Sequence, residues 1–230
     1  MPNQEGETGS NQALMTRVID SALQANALEA QTQRMVVAMF RLLARGEPVS
    51  PAGFAGAIRI PLEVIEQVVR SVPPGALDRD GEGNVVAFSG MSLKPTDHRM
   101  QLAGRTLYGW CAFDTLFLSA LLGESTRIVS RDPVTGEAIR FELGSDGYQG
   151  SPELVMSFLD VSPEEMRSNL RAAFCHDVHF FQDRESGARY AADRAGLITI
   201  PIGDAIALAR RWNESLYGDA LAAPAGLART

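Results

Sequence analysis

The chain has 230 residues, 45% of them apolar and 21% charged, which is typical of a water-soluble globular protein with one substantial core. Its formal net charge of −7 argues against binding to nucleic acid or to an anionic membrane, because both need a basic surface. No apolar run is long enough to span a bilayer, and the polar start lacks the pattern of a signal peptide, so we expect a cytoplasmic protein.

The N-terminal third predicts a small helical module. Residues 1–33 are expected to be disordered or loosely helical, since Gly, Ser, Asn and Gln dominate their first dozen positions. Residues 34–95 predict a winged helix-turn-helix, from apolar residues at helical spacing, two proline-led helix starts and a glycine-rich hairpin. These features are, in chain order, Val36-Met39-Phe40-Leu43, Ser50-Pro51, Pro61 and the run LDRDGEGNVVAFSGMSL.

The third helix of this module, PLEVIEQVVRSV, would be the DNA-reading helix of a winged helix. It carries Glu63 and Glu66 against the single cation Arg70, whereas a helix in the major groove needs Lys or Arg for the phosphates. We therefore predict a structural module that does not bind DNA.

Residues 96–218 predict a mixed core of helices and antiparallel hairpins. We expect one buried helix over 107–122, a hairpin formed by 126–129 and 138–143 around the turn DPVTGE, and a helix that begins at Ser162. Strands are further predicted for 99–103, 154–158, HDVHFF and GLITIP, followed by a closing helix and a flexible tail over 219–230. The predicted fold class is α+β, without βαβ alternation.

The chain has only two cysteines, and each lies beside other residues capable of chemistry. Cys111 and Asp114 lie one turn apart if their segment is helical, while Cys175 opens the run CHDVH. A zinc site made of Cys111, Cys175, His176 and His179 would be awkward, because strand alternation places His176 on the opposite face from Cys175 and His179. Two thiols and one carboxyl group that converge would instead suit the chemistry of a soft metal.

Three motifs, LYGWCAFDTLFLSALLG, TRIVSRDPVTGE and FCHDVHFF, resemble those of the alkylmercury lyases of bacterial mercury resistance, and the resemblance covers about Arg34 to Tyr217. It implies a winged-helix-like N-terminal region without DNA binding, joined to a mixed α/β catalytic core. It also implies a catalytic and mercury-binding triad of Cys111, Asp114 and Cys175. Some members have a structural cysteine where this chain reads Arg131-Asp132-Pro133, and some have a second cysteine at the position of His176.

The chemistry that the resemblance implies is protonolysis of a carbon–mercury bond. Thiolate is the softest ligand that a protein offers to mercury, and a carboxyl group one turn away is placed to carry a proton. Cys111 and Cys175 would hold mercury, Asp114 would deliver the proton to carbon, and Trp110 and Phe174 are candidates for lining the pocket. No organic cofactor is expected; cytosolic thiols or a mercuric reductase would accept the Hg(II) product.

Two other functions remain open at the level of sequence. A protein that sequesters mercury or copper without catalysis would need both thiols but not Asp114. A metal-responsive winged-helix regulator would need a helix able to bind DNA, which the acidic third helix argues against. The sequence weakly favours a monomer.

Overall fold

A computed structural model describes residues 29–159 and 161–222, together with the isolated positions 13, 16, 17 and 20. The fold is α+β, as predicted. The described residues form seven α-helices, here numbered in chain order: α1 (Ala30–Leu43), α2 (Pro51–Ile58), α3 (Leu62–Ser71), α4 (Ala112–Leu122), α5 (Pro163–Ala173), α6 (Arg184–Ala191) and α7 (Ile202–Ala222).

The strands form two antiparallel sheets. The larger sheet has the order β1-β2-β3-β5-β4-β6-β7-β8, and the smaller has the order β10-β9-β11. The strands are β1 (Leu77–Arg79), β2 (Val85–Phe88), β3 (Met91–Ser92), β4 (His98–Leu102), β5 (Arg105–Gly109), β6 (Thr126–Arg131), β7 (Ala138–Gly144), β8 (Gly147–Gln149), β9 (Val155–Leu159), β10 (Phe180–Phe181) and β11 (Leu197–Pro201).

The predicted helices and hairpin of the N-terminal third are present. Ser50 caps α2 by accepting the backbone N–H of Gly53 at 3.0 Å, and α3 begins directly after Pro61. The β1–β2 hairpin continues through β3 into the sheet that contains β4–β8, so this sheet crosses the predicted boundary between residues 95 and 96. The winged-helix assignment stays a prediction.

Both ends of the chain lie largely beyond the described residues. The extension predicted for residues 1–33 is described only at its isolated positions and from residue 29, where α1 begins at Ala30. Of the predicted tail, residues 219–222 belong to α7, and residues 223–230 lie outside the described part.

The helix predicted over 107–122 is wrong in its first turn. Residues 107–109 belong to β5, where Leu107 pairs with Met100 across a hairpin whose turn holds Gly104 at a φ of +78°. The helix starts at Ala112, and the backbone N–H of Trp110 bonds outward to the carbonyl of Gly90 at 2.9 Å. Leu107 therefore contributes to the sheet, and Cys111 precedes the first helical residue.

The strand predicted for HDVHFF is also mostly wrong. Cys175–Asp177 form a 3-10 turn, and only Phe180–Phe181 are strand. Ser157 imposes this shape, because its hydroxyl donates to the carbonyl of Asp177 at 2.6 Å and accepts the N–H of His179 at 2.8 Å. Strand alternation therefore does not govern where Cys175 and His176 point.

Helices α1, α4 and α7 pack together around a shared aromatic cluster. Helix α7 packs against α4 and α1, and Phe40 of α1 makes ring contacts with Phe88, Phe117 and Tyr217 at centroid distances of 5.3, 6.0 and 6.2 Å. These contacts bind the N-terminal helices to α4 and so fix one wall around its first turn. Among the described residues, no helix combines the length and the apolar character that crossing a bilayer requires.

Candidate functional site

The two cysteines and Asp114 meet where helix α4 begins. Cys111 is the N-cap of α4, Asp114 lies in its first turn, and Cys175 opens the 3-10 turn that follows α5. A hydrogen bond from the N–H of Ala112 to the carbonyl of Val178, 3.0 Å long, joins the two segments. The structure thus brings together three residues whose convergence the sequence left open.

The three reactive groups are close and buried. One ligand atom from each residue lies within 4.8 Å of the other two, and the Cys175 sulfur is 4.0 Å from Oδ2 of Asp114. Their exposed fractions are 0% for Cys111, 5% for Asp114 and 5% for Cys175. Neither thiol is in a disulfide. The cluster can therefore offer two sulfurs and one carboxylate oxygen to a single soft metal ion.

The carboxylate of Asp114 is held by the backbone. Its Oδ2 accepts the N–H of Cys111 at 2.8 Å, so the side chain folds back over the helix N-terminus in the manner of a capping residue. Two glycines, Gly90 and Gly109, pack against the same side chain, and a Cβ at Gly90 would lie 2.7 Å from Cγ of Asp114. The absence of a side chain at Gly90 therefore makes room for the carboxylate.

Replacing Gly90 by alanine should displace Asp114 and reduce turnover by roughly a hundredfold, since a shift of about 1 Å in a reacting group has effects of that size. Gly147→Ala is the matched control, because Gly147 also has a positive φ, +88° against +103° at Gly90, but nothing lies within 4 Å of its Cβ position. Gly147→Ala should lose about 1–2 kcal/mol of stability because of its positive φ, and Gly90→Ala should lose more because it also displaces Asp114; urea unfolding measures both losses. Equal activities in the two folded variants would contradict the packing role of Gly90.

Burial controls the protonation of the cluster. It raises the pKa of Asp114 to about 7, although hydrogen bonds from Cys111 and Trp110 and the charge of Arg171 act in the opposite direction. Burial also raises the pKa of Cys111 well above its ordinary value. For Cys175 the hydrogen bond with Cys111 lowers the pKa, but burial and the charge of Asp114 outweigh it, so that the net shift is upward.

Arg171 is a site residue that the sequence analysis missed. Its guanidinium lies 3.8 Å from the ring centroid of Trp110 and 3.1 Å from the carboxylate of Asp78, and its charge lowers the pKa of Asp114 and Cys175. Helix α5 is broken at Asn169, whose side chain accepts the N–H of Ala172 at 3.1 Å and caps the last turn. The spacing of Arg171, one turn before Cys175, was the available signal.

The two candidate pocket residues line different cavities, Trp110 an open cleft and Phe174 an apolar cavity. Trp110 is half-buried beneath Arg171, whereas Phe174 is buried against Phe113 and Phe158, with ring centroids 6.1 and 5.1 Å away. Trp110 therefore lies beside a charged group, whereas Phe174 is surrounded by other aromatic rings.

The histidines do not join the thiols. Within the described ranges, the only group of three or more His, Cys, Asp or Glu residues that could hold a metal is Cys111, Asp114 and Cys175. His176 is exposed, and Nε2 of His179 lies 2.9 Å from the carbonyl of His176. The geometry thus gives no support to a zinc site that includes either histidine.

Asp132 is the buried residue of the hairpin segment Arg131-Asp132-Pro133. Its carboxylate accepts the hydroxyl of Ser186 at 2.7 Å and backbone N–H groups of Gln182 and Val134 at 3.0 and 2.8 Å. Burial opposes its ionisation, but these hydrogen bonds lower its pKa overall. Asp132 therefore ties the hairpin to α6 without a thiol.

The chain is similar in sequence to known alkylmercury lyases. The family model for MerB, alkylmercury lyase, matches residues 91–214, which include all three members of the cluster. An alkylmercury lyase of Staphylococcus epidermidis (strain ATCC 12228 / FDA PCI 1200) is 33% identical over 181 residues, covering 77% of this chain and 82% of the relative. One from Bacillus cereus is 34% identical over 181 residues, covering 77% and 81%.

A solved structure has the same fold. The crystal structure of the mercury-bound form of MerB2 superposes with a TM-score of 0.76, at 20% sequence identity, and covers 89% of this chain and 99% of its own.

Proposed function

The chain belongs to the alkylmercury lyase family and is a carbon–mercury lyase, and we propose that it cleaves organomercurials by protonolysis at Cys111, Asp114 and Cys175. The observation that carries the mechanism is the convergence of two thiols and one carboxyl group within 4.8 Å. The products are a hydrocarbon and Hg(II) held by both cysteines.

Cys175 makes the first bond to mercury. It lines both cavities that reach the site, whereas Cys111 is fully buried and lines neither. The substrate arrives as R–Hg–SR′, since mercury in a thiol-rich solution is bound to sulfur. Cys175 replaces the incoming thiol, and its proton leaves on the displaced R′SH.

Cys111 then ligates the same mercury and gives its proton to Asp114. A carboxyl group with a pKa of about 7 is populated in both protonation states near neutral pH, so that it accepts this proton and later releases it. The proton acceptor is close, because Oδ2 of Asp114 already bonds to the backbone of Cys111 at 2.8 Å.

The bond to carbon breaks when Asp114 donates this proton. Two sulfur donors increase the electron density on the mercury-bound carbon, which takes up the proton and leaves as RH. The sum is R–Hg–SR′ plus two thiols giving RH, R′SH and a mercury bridging Cys111 and Cys175, with Asp114 ionised again. The reaction balances with the side chains of the chain alone, so that we propose no organic cofactor.

Mercury leaves by thiol exchange. Thiolate substitution at mercury needs an external sulfur, which a cytosolic thiol or the dithiol of a mercuric reductase would supply. Because such thiols are abundant in the cytoplasm, we propose that the activity is cytoplasmic. We propose no role in DNA binding. Arg70 is the only Lys or Arg among the described residues of α3, and it pairs with Glu66 at 3.6 Å, so the helix has no other cation to contact phosphates.

The test of this function is the release of benzene from phenylmercury in excess thiol, measured by gas chromatography. Catalytic release over many turnovers is expected. Release no faster than in buffer with thiol would contradict the proposal. Stoichiometric binding of mercury without benzene would instead favour the sequestering protein.

The buried carboxyl group should also make stability depend on pH. Below about pH 4 Asp114 is protonated in both states; between about pH 4 and pH 7 only the unfolded chain ionises, so the folded state loses stability as pH rises. Asp114→Asn should therefore be stabilised relative to wild type by an amount that grows to on the order of 4 kcal/mol above pH 7. Urea unfolding of both proteins at several pH values measures this difference; a difference independent of pH would show that Asp114 is not a raised-pKa acid.

A further inference from the structure

The open cleft beside Cys175 has a volume of about 870 Å³ and a distinctive charge pattern. Among the described residues, Arg171 is the only Lys or Arg that lines it, and Asp97 is the only residue with a carboxylate. Cys175 also lines the cleft, whereas Cys111 is fully buried and does not. A molecule that enters the cleft from solvent therefore meets the sulfur of Cys175 first and has one fixed cation beside it.

The guanidinium of Arg171 has donors to spare. Its face lies 3.8 Å from the ring centroid of Trp110, and Nη2 donates to Asp78 at 3.1 Å. These contacts hold the group in place, but its buried Nε has no hydrogen-bond partner among the described residues, and 39% of the side chain is exposed. A planar guanidinium matches the geometry of a carboxylate, so Arg171 can bind a second anion in addition to Asp78.

The charge of Arg171 also lies close to the reactive groups. It acts electrostatically on both the Cys175 thiol and the Asp114 carboxyl group. An anion bound by this guanidinium would therefore lie beside the sulfur of Cys175. The other cavity that Cys175 lines has no Lys, Arg or His among the described residues, so an anion finds a counter-charge only in the cleft.

We propose that the cleft is a binding site for small thiols that carry a carboxylate, with Arg171 as the anchor for the carboxylate and Cys175 as the sulfur that is exchanged. The proposal rests on the proposed function and adds to it the class of thiol that removes the Hg(II) product. It makes Arg171 a specificity-determining residue for product release.

The exchange that this site supports involves no oxidation or reduction. The incoming thiol forms a sulfur–mercury bond, the bond between mercury and Cys175 breaks, and the proton of the incoming thiol ends on the Cys175 sulfur. A second thiol displaces Cys111 in the same way. Hg(II) leaves bound to two external thiolates, and both cysteines are again protonated.

The first test measures the release of Hg(II) from the wild-type chain loaded with one equivalent of Hg(II). N-acetylcysteine and N-acetylcysteine amide differ in a carboxylate against a neutral amide, and ultrafiltration at set times measures the mercury that each releases. Per concentration of thiolate, N-acetylcysteine should be faster by about fivefold, as for a partly exposed ion pair. The net charge of −7 acts in the opposite direction, because it repels an anion. A wild-type ratio of one or less overturns the proposal.

Arg171→Met removes the anchor and keeps an apolar side chain over Trp110. The ratio of the two release rates should fall to about one, whatever happens to the absolute rates. A merely structural role of Arg171 would slow both thiols equally and leave the ratio unchanged. Arg140→Met is the matched control, since Arg140 is exposed on β7 and does not line the cleft. An unchanged ratio in Arg171→Met, or an equal fall in Arg140→Met, overturns the proposal.

Asp97→Asn should change the ratio in the other direction. Asp97 is exposed in the wall of the cleft, so its replacement tests the same site without disturbing the core. Loss of its negative charge should raise the preference for N-acetylcysteine by about twofold. Asp146→Asn, in the turn between β7 and β8, should leave the preference at its wild-type value. A preference that does not rise in Asp97→Asn contradicts the proposal.

These measurements separate the binding site from the lyase activity, because release of loaded Hg(II) needs no cleavage of a carbon–mercury bond. Benzene release from phenylmercury without a preference between the two thiols overturns this inference and leaves the proposed function standing. The preference without benzene release supports the thiol site and contradicts the proposed function. A chain that retains no Hg(II) contradicts both.

Discussion

Replacing Asp114 by asparagine should lower the turnover of phenylmercury by about a thousandfold and leave the binding of Hg(II) nearly intact. Asparagine keeps the size of the side chain and an oxygen that can accept the N–H of Cys111, which Asp114 bonds at 2.8 Å. It cannot take a proton from a thiol or return one to carbon. The loss should therefore appear in kcat, measured as benzene release, while one equivalent of Hg(II) still binds per chain.

Asp80→Asn is the control for this change. Asp80 accepts the backbone N–H groups of Glu82 and Asn84 in the β1–β2 turn and lines neither cavity at the site. That variant should retain wild-type turnover. Full activity in Asp114→Asn would remove the acid from the mechanism even if the chain remained a lyase. A wild-type chain that only binds mercury would be indifferent to Asp114, so this variant also separates catalysis from sequestration.

Replacing either cysteine by serine should reduce turnover on the order of a thousandfold or more, and should also weaken the binding of Hg(II). A hydroxyl is a hard, protonated group that does not compete for mercury, so each variant retains a single sulfur ligand. Unlike Asp114→Asn, both variants should lose the tight binding of Hg(II) that depends on two sulfurs. Competition against a chelating dithiol measures that affinity.

The two single variants should also differ from each other. Because Cys175 lines both cavities and Cys111 lines neither, Cys111→Ser should still capture phenylmercury through one sulfur without cleaving it. Cys175→Ser should capture it much more slowly. Mass spectrometry of the protein after brief exposure to phenylmercury detects the adduct. The opposite order of reactivity would reverse the assignment of the capturing thiol.

The sequence predicted the composition of the candidate site better than its local structure. Cys111, Asp114 and Cys175 were identified from motif resemblance, and the structure places them together. The expected helical spacing of Cys111 and Asp114 explains only part of why their side chains lie close together. Cys111 precedes the helix, and the two residues meet because an aspartate in the first turn reaches back to the N-cap backbone.

The errors of the sequence analysis arose where tertiary contacts override local pattern. Leu107 is apolar enough to extend the following helix, but pairing with Met100 holds it in β5. Likewise HDVHFF has the composition of a strand, and a single hydroxyl from the distant Ser157 bends it into a turn. Ser157 lies 20 residues before Asp177 and so outside a local window of sequence, whereas Met100 is close to Leu107 and the hairpin that joins them was missed.

Other features were predictable from short-range rules. The capping box of Ser162 and Glu165 forms as expected, with the hydroxyl accepting the N–H of Glu165 at 3.3 Å and the carboxylate accepting the N–H of Ser162 at 3.0 Å. The break of α5 at Asn169 was not predicted, because an asparagine within a helical pattern gives only a weak signal.

The deep burial of the two thiols also bears on how the site survives in the absence of substrate. Oxidants attack cysteine as the thiolate, and both sulfurs here have a raised pKa and little or no exposure. A disulfide between them would remove both mercury ligands at once, yet its formation also begins from a thiolate. Burial therefore has two effects: it raises the pKa of Asp114 for proton transfer, and it slows the formation of a disulfide between the two cysteines, which would inactivate the site.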